Sequence, residues 1–449
     1  MKQTRSLFFI CFFNLPFISL FAQEPEKERG FLSGAVHTRY MQTSNKGNLE
    51  DFSILTSYGK IGYHIKLRDW LKFGVSGNGL VHYGTGGIDK RDQTTGSGPI
   101  YESNLWNSSR MSGSAQFSLP ELYLDFNFDS HLIRIGRFIE DTPTINGEGW
   151  PFPNALKGLW YKYKTIEGFN AEAAFIDRIA SRFSGEFENV GNTIGAGGIG
   201  VGTDGTNSQY RNVTKSDYVA IAKLGYRFSG GLDLALWNYY ADNISNTIFT
   251  EAKFDVGTEK DWHISGQFIY QSKVGDGGNN SAALQYFTDE SASGFGFMVK
   301  KDISKSAVSL AFTRISDQGR LLLPREWGKE PFYTFQRRTR VEGFSNVTAV
   351  ALKWESSFDR ENYKLNMFSS LGYHSLPDPA DAPKSKYQVP STAHLDGSIK
   401  YSPKSKLFGF SAELYVAGRF LAGETVTNSA YLINRADFFH SDLILSYIF

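Results

Sequence analysis

Leu443-Ile444-Leu445-Ser446-Tyr447-Ile448-Phe449 closes the chain on an aromatic residue. Counting back by twos puts Phe449, Tyr447, Leu445 and Leu443 on one face, and Ser446, Asp442 and His440 on the other. A period of two belongs to a β-strand, and one oily face opposite a wetter one suits a strand with lipid on one side and an aqueous lumen on the other.

The same period recurs upstream. In Lys60 to Arg68, Ile61, Tyr63, Ile65 and Leu67 alternate with Lys60, His64, Lys66 and Arg68, whereas a helix would mix these two sets around its circumference. Leu71 to Tyr83, Gly158 to Lys164 and Asp217 to Phe228 repeat the pattern. Trp262 to Tyr270, Ala282 to Thr288, Val308 to Phe312, Tyr363 to Tyr373 and Ala393 to Tyr401 are further candidate strands.

The N-terminus supplies an address. Lys2 and Arg5 precede an apolar run from Leu7 to Phe21, with Ala22 at a plausible cleavage point. Residues 1–22 therefore read as a secretory signal peptide, and residues 23–449 as one domain. The single cysteine, Cys11, lies inside the signal segment. The mature chain is thus expected to hold neither disulfide nor thiolate metal site.

Beyond residue 22 no stretch has the length of a spanning helix, and mean hydropathy is -0.32. Membrane residence, if any, falls to strands. Aromatic residues at 15% and 45 glycines suit aromatic girdles and many turns. A net charge of +1 gives no case for nucleic acid. At ~21 to 25 residues per strand with its connection, the chain accommodates roughly 16 to 20 strands, and an even count near 18 is expected. Wall side chains cannot fill so wide an antiparallel β-barrel, which must hold water or a plug. A first strand starting near Phe31 leaves no room for an N-terminal plug domain.

Between the strand at His131 to Phe138 and the one from Gly158 lies a segment combining Glu140, Asp141 and Glu148 with Trp150-Pro151-Phe152-Pro153. Proline restricts the backbone and suits a loop that holds one shape. Folded inward, this loop would constrict the lumen and set carboxylates against cationic strand faces.

Several blocks then carry a family resemblance. Gly30-Phe31 is followed by Arg39-Tyr40. Ile135-Gly136-Arg137 leads to Thr142-Pro143, Phe152-Pro153 and Gly168-Phe169 with Glu172. Tyr239 to Phe254 has Asp242-Asn243-Ile244 at its turn, and Phe344-Ser345-Asn346-Val347 comes later. In this order they resemble the OprD-type porins of Gram-negative outer membranes. The resemblance implies an 18-stranded outer-membrane barrel narrowed by its third loop, passing small nutrients such as carboxylates or amino acids along a ladder of Arg and Lys. It also implies that the strand ending in Phe449 is read by the barrel-assembly machinery, and that the barrel sits among lipid and lipopolysaccharide. A homotrimer is one arrangement that the sequence leaves open.

Arg39 falls where the resemblance places a ladder arginine. The late strands Leu407 to Phe420 and Phe438 to Phe449 offer no Arg or Lys on matching positions before Arg419. Lys60, Lys66, Arg134, Arg137, Lys162, Lys164, Lys223 and Arg227 are read as substitute pore-lining cations. Fixed cations in a confined passage lower the barrier for anions more than the same charges would in bulk water. A second set, Arg320, Arg325, Arg337, Arg338 and Arg340, lies between Ile315 and Val347 and is expected to face lipopolysaccharide phosphates or the channel mouth.

Two patterns carry no chemistry. Gly195-Ala196-Gly197-Gly198-Ile199-Gly200 spells a dinucleotide motif, but more loop follows it instead of a helix. The eight histidines show no metal spacing and no catalytic motif. No cofactor, metal or catalytic residue is expected. The reading is a passive channel favouring anionic or zwitterionic solutes. Its rivals are a transporter of hydrophobic molecules, which would need a greasy lumen and a hatch, and a rim-active barrel enzyme.

Overall fold

The computed structural model describes residues 30–84, 87–106, 115–147, 151–165, 167–257, 259–404 and 407–449. The expected signal peptide, Glu148 and Trp150 lie outside these. The strands are β1 (Gly30–Asn45), β2 (Phe52–Arg68), β3 (Leu71–His82), β4 (Ala115–Phe128), β5 (His131–Phe138), β6 (Ala155–Lys164) and β7 (Phe169–Ala180). They continue as β8 (Phe187–Asn189), β9 (Val219–Arg227), β10 (Leu232–Ala241), β11 (Ser245–Val256), β12 (Trp262–Lys273) and β13 (Ser291–Ile303). The last six are β14 (Ser306–Ile315), β15 (Val347–Asp359), β16 (Tyr363–Ser375), β17 (Thr392–Pro403), β18 (Phe410–Leu421) and β19 (Phe438–Ile448).

Consecutive strands pair antiparallel, β7 passes directly to β9, and β19 closes on β1. The short β8 adds only to the end of β7, so the wall is a closed barrel of 18 strands. Closure reaches the last residue, where the amide of Gly34 donates to Phe449 and that of Phe449 donates to Gly34, each at 2.9 Å. One rim carries tight turns such as 69–70, 129–130 and 304–305; the other carries the long loops 83–114, 139–154, 181–218, 316–346 and 376–391. The segment Ala282 to Thr288, expected as a strand, belongs to the loop after β12 and forms a short 3-10 turn. Its Tyr286 and Phe287 are buried among loops, and that packing overrides a local alternation too short to pair.

Alternation sets the two faces. Tyr63, Leu224, Leu236, Phe295, Leu352, Leu395, Leu443 and Tyr447 stand exposed on the outside, where only lipid removes them from water. Trp70 stacks on Phe126 and Phe128 at the tight-turn rim, in the manner of an interfacial girdle. A barrel with an apolar belt around its wall is an integral membrane barrel. Inside, the largest apolar cluster joins wall residues such as Trp160, Trp237 and Phe249 to loop residues such as Ile145, Leu322, Trp327 and Phe344. The plug that a wide barrel requires is thus made by its own loops.

The wall bends where the inward loop leaves it. Gly136 and Gly158 face each other across β5 and β6, and the register shifts beside Gly158. A Cβ on Gly158 would lie 2.0 Å from the carbonyl oxygen of Phe175, backbone that cannot move aside. Gly158→Val is therefore expected to lower the temperature at which the folded, fast-migrating band is lost on electrophoresis. Backbone displacement of this kind costs about 1 to 3 kcal/mol; an unchanged transition would show that the bend is not required.

Candidate functional site

The strand register decides which expected cations reach the lumen. Lys60 and Lys66 share the inner face of β2, Lys162 and Lys164 that of β6, and Lys223 and Arg227 that of β9. Most meet carboxylates. Lys60 lies 2.6 Å from Glu121, Lys223 2.8 Å from Glu172, and Lys66 2.6 Å from Asp69 at the rim turn. Arg134 forks onto Asp125 at 2.6 and 2.8 Å. Glu140, an expected constriction acid, receives Arg134 at 2.9 Å and Lys162 at 2.7 Å. Lys164 and Arg227 are exposed near the tight-turn rim. This side of the lumen is a mosaic of neutralised pairs, not a ladder of bare cations.

Arg137 requires correction. It sits opposite Leu122, on the lipid-side parity of β5, with its guanidinium 4.8 Å from the Phe187 ring. Residues 134 and 137 are an odd number apart, so one strand cannot turn both inward.

The loop of residues 139–154 does fold inward. Phe152 is buried against Met41, Ile54 and Leu80, all lumen-side, and Asn78 donates to the Pro151 carbonyl at 3.0 Å. Asp141 accepts the Gly147 amide at 2.6 Å and so braces the loop's own turn. The larger inward element is the loop of residues 316–346. The Pro331 carbonyl accepts from Gln267 on β12 at 2.9 Å, and Tyr333 donates to Glu251 on β11 at 2.7 Å. Thr334 meets Thr313 on β14 at 2.7 Å, and the Phe335 carbonyl accepts from Lys353 on β15 at 3.0 Å. Gln336 reaches Ser370 on β16 and Asp396 on β17 at 2.7 and 3.2 Å. Arg337 pairs with Glu413 on β18 at 2.8 Å, and Arg338 with Asp442 on β19 at 2.7 Å.

Residues 331–338 thus advance about one strand per residue. The arc from β12 to β19 is about 34 Å at ~4.8 Å per strand spacing. Seven extended residues reach only about 23 Å. The strap therefore runs inside the wall on a path shorter than the wall's own arc, its side chains bridging the gap. The arginines expected to meet lipopolysaccharide or the mouth are turned into the barrel instead. Two signs in the sequence could have revealed this: Leu321-Leu322-Leu323, Trp327 and Phe332 are too apolar for a solvated loop, and three arginines follow within five residues.

Asp442, fully buried, also holds Arg39 at 2.7 Å. One carboxylate thus serves the expected ladder arginine on β1 and the strap together. Sequence reasoning placed Asp442 on the wet face but gave it no role.

Two cavities flank the strap. The outer one, about 730 Å³, is bordered by Tyr101, Trp106, Arg325, Arg338 and Lys386 among others. The inner one, about 620 Å³, is bordered by Lys305, Glu355, Asn366, Lys400 and Glu413. Arg337 borders both. The glycine run at 195–200 lies beside the outer cavity and cradles a carboxylate: Glu326 accepts the amides of Gly195 and Gly197 at 2.9 and 2.6 Å.

Three loop groups near the outer cavity titrate together. Burial raises the carboxyls of Glu102 and Glu330 to about 7 each. Burial lowers the Lys386 ammonium to about 7, its head enclosed by the rings of Tyr210, Tyr286 and Tyr387. Protonation makes each site more positive, since the two acids lose a negative charge and the amine gains a positive one. Preference for anions, read from zero-current potentials in a salt gradient, is therefore expected to rise as pH falls from about 8 to 6 across these shifted values. A flat profile would remove these groups from the permeation path.

Acinetobacter baumannii OccAB4 superposes with TM-score 0.69 at 13% identity, over 94% of this chain and 98% of that one. Pseudomonas aeruginosa OccK3 (OpdO) gives 0.66 at 13%, over 94% and 95%. Pseudomonas aeruginosa OpdK, solved with vanillate, gives 0.66 at 13%, over 94% and 98%. The chain has the OprD-type barrel fold. No family model matches it, and no curated protein sequence does.

Proposed function

We propose that this protein is an outer-membrane diffusion channel whose solutes are small and water-soluble, with anions favoured over cations. The observation that carries the reading is the outer cavity, bordered among the described residues by eight cationic side chains and no carboxylate, with Arg337 on both this cavity and the inner one. A solute passing from one cavity to the other meets its guanidinium in a confined space, where fixed charge acts strongly. The fold shared with OpdK, which was solved with the carboxylate vanillate, supports the same class of solute. Lys60, Lys66, Lys162, Lys223 and Arg134 contribute as the paired wall and Lys164 and Arg227 as exposed cations near the rim, with Glu140 and Phe152 shaping the approach.

Against a carrier of hydrophobic molecules stand the ion pairs that line the wall. Against a rim enzyme stands burial: among the described residues Thr43 meets His440 at 2.8 Å and donates to Glu102 at 2.6 Å, yet it has no exposed surface. Reconstitution in a planar bilayer tests the channel. Stepwise ohmic conductance with an anion-side zero-current potential is expected; absence of any steps would sink the proposal. The strand ending in Phe449 is proposed as the segment the assembly machinery reads, so deleting Phe449 should reduce the membrane-inserted yield in cells.

A further inference from the structure

Among the described residues, eight cationic side chains and no carboxylate border the outer cavity. Three are neutralised by acids behind them: Arg325 by Glu342 at 2.6 Å, Arg337 by Glu413 and Arg338 by Asp442. Four others make no ion pair with any described carboxylate. Arg340 donates only to the Gly328 carbonyl, at 3.0 Å. Arg419 donates to the Thr392 hydroxyl and the Arg338 carbonyl, each at 3.1 Å. Arg435 donates to the Ala430 carbonyl. The Lys386 ammonium, 1% exposed, has no hydrogen-bond acceptor at all.

The nearby acids are engaged elsewhere, Glu342, which acts on Lys386, being held by Arg325 at 2.6 Å. Glu326 is occupied by glycine amides, and Glu330 accepts the amides of Val341 and Glu342 at 3.0 and 2.7 Å. Burial, with Arg325 and Arg419 close by, holds the Arg435 guanidinium below its ordinary value, a sign that these cations converge. Like charges gathered in a partly dehydrated space cost free energy that an incoming anion relieves. The four come from different elements: Arg340 from the strap loop, Lys386 from loop 376–391, Arg419 from the end of β18, and Arg435 from loop 422–437.

We infer that the outer cavity is a binding station for small dianions carrying a ring, such as a phosphate monoester of a sugar, and not merely a passage for monoanions. The inference rests on the anion-favouring reading above and names its solute class. A single carboxylate would compensate one of the unpaired charges and leave the rest. A phosphoryl group carries nearly two charges and three acceptor oxygens that guanidinium forks match. Tyr101, Trp106, Phe183 and Tyr387 supply faces for a ring, and about 730 Å³ falls in the range of small-molecule sites. The membrane's own lipid phosphates share this chemistry, but the cations lie inside the barrel behind folded loops, so the free ester is the expected occupant.

Calorimetric titration of the purified protein in lipopolysaccharide-free detergent, at moderate salt, tests this without requiring conduction. Glucose 6-phosphate is the dianion and glucuronate, a pyranose with a single carboxylate, the monoanion of similar size. Binding of the phosphate ester is expected to be at least ~10-fold tighter, about 1.4 kcal/mol. Arg435→Gln and Arg340→Gln, each still showing the folded electrophoretic band, should bring the ratio toward one, whereas Arg435→Lys should keep most of it. Equal affinities, no binding of either probe, or an unchanged ratio in both Gln variants would overturn the inference. Lipid A displacing the bound ester would overturn the free-solute assignment. A protein that binds the ester yet never conducts would sink the channel reading and leave this one standing.

Discussion

A channel carrying Arg337→Glu is expected to reverse its zero-current potential in a tenfold salt gradient, from the anion side to the cation side. Arg337 borders both cavities, and its partner Glu413 already stands 2.8 Å away. Reversal would therefore place two carboxylates where one neutral pair stood. At an effective dielectric of about 20, a unit charge 4 Å from a permeating ion is worth about 4 kcal/mol. Salt and water reduce that, yet even a third of it, about 1.4 kcal/mol, is tenfold in the permeability ratio. The exchange Arg337→Glu with Glu413→Arg should recover much of the original preference, because it restores one charge of each sign at the same place. Lys162→Glu offers the contrast. Lys162 is tied to Glu140 on the wall, away from the strap, and a smaller displacement is expected there. An unaltered potential in Arg337→Glu would mean that solutes do not pass between the two cavities by way of this residue.

The second large effect concerns what holds the strap down. Asp442 has no exposed surface and receives both Arg39 and Arg338 at 2.7 Å. Asp442→Asn would strip two buried guanidiniums of the carboxylate they share, and breaking a buried pair from one side costs about 3 to 5 kcal/mol. The strap end is expected to release from β19, giving larger and noisier single-channel currents. The folded band on electrophoresis should be lost at a lower temperature. Replacing Arg39 and Arg338 by Met in the same background should restore much of the thermal stability, since the penalty lies in the unpaired charges and not in an absent attraction. It should not restore the small conductance, because the anchor is gone. Thermal behaviour identical to the parent would show that water reaches these arginines and that the site is wetter than its burial suggests.

Much of the wall was legible from alternation. Parity alone puts Ile61, Tyr63 and Leu67 on the outer face, and likewise Leu443, Leu445 and Tyr447, because the face a residue takes on a strand depends only on its place in the alternation. Where parity was ignored the reading failed: Arg134 and Arg137 cannot share a face, and Arg137 stands outside. The inward loop was legible in part through the apolar Phe152, buried against β1 to β3. The strap was not. Arg337 and Arg338 were expected to face lipopolysaccharide phosphates or the channel mouth, yet both lie inside the barrel. Nothing local tells a cationic loop that points outward from one whose partners, Glu413 and Asp442, lie 76 and 104 residues further along the chain. The expected ladder meets the same difficulty: Lys60, Lys223 and Arg134 stand at inner-face positions, but their neutralisation by Glu121, Glu172 and Asp125 depends on cross-strand register and on side chains two strands away.

By itself the sequence determined that this chain forms a closed sheet with an oily exterior, because a two-residue period is written residue by residue and survives any error in loop placement. Only the tertiary structure decided where the lumen narrows, which cations keep their charge bare, and that one aspartate on the last strand serves both the first strand and the strap. Those outcomes depend on contacts between segments that share no local pattern, and their free energies appear only once the barrel has brought the segments together in a space too dry to screen them.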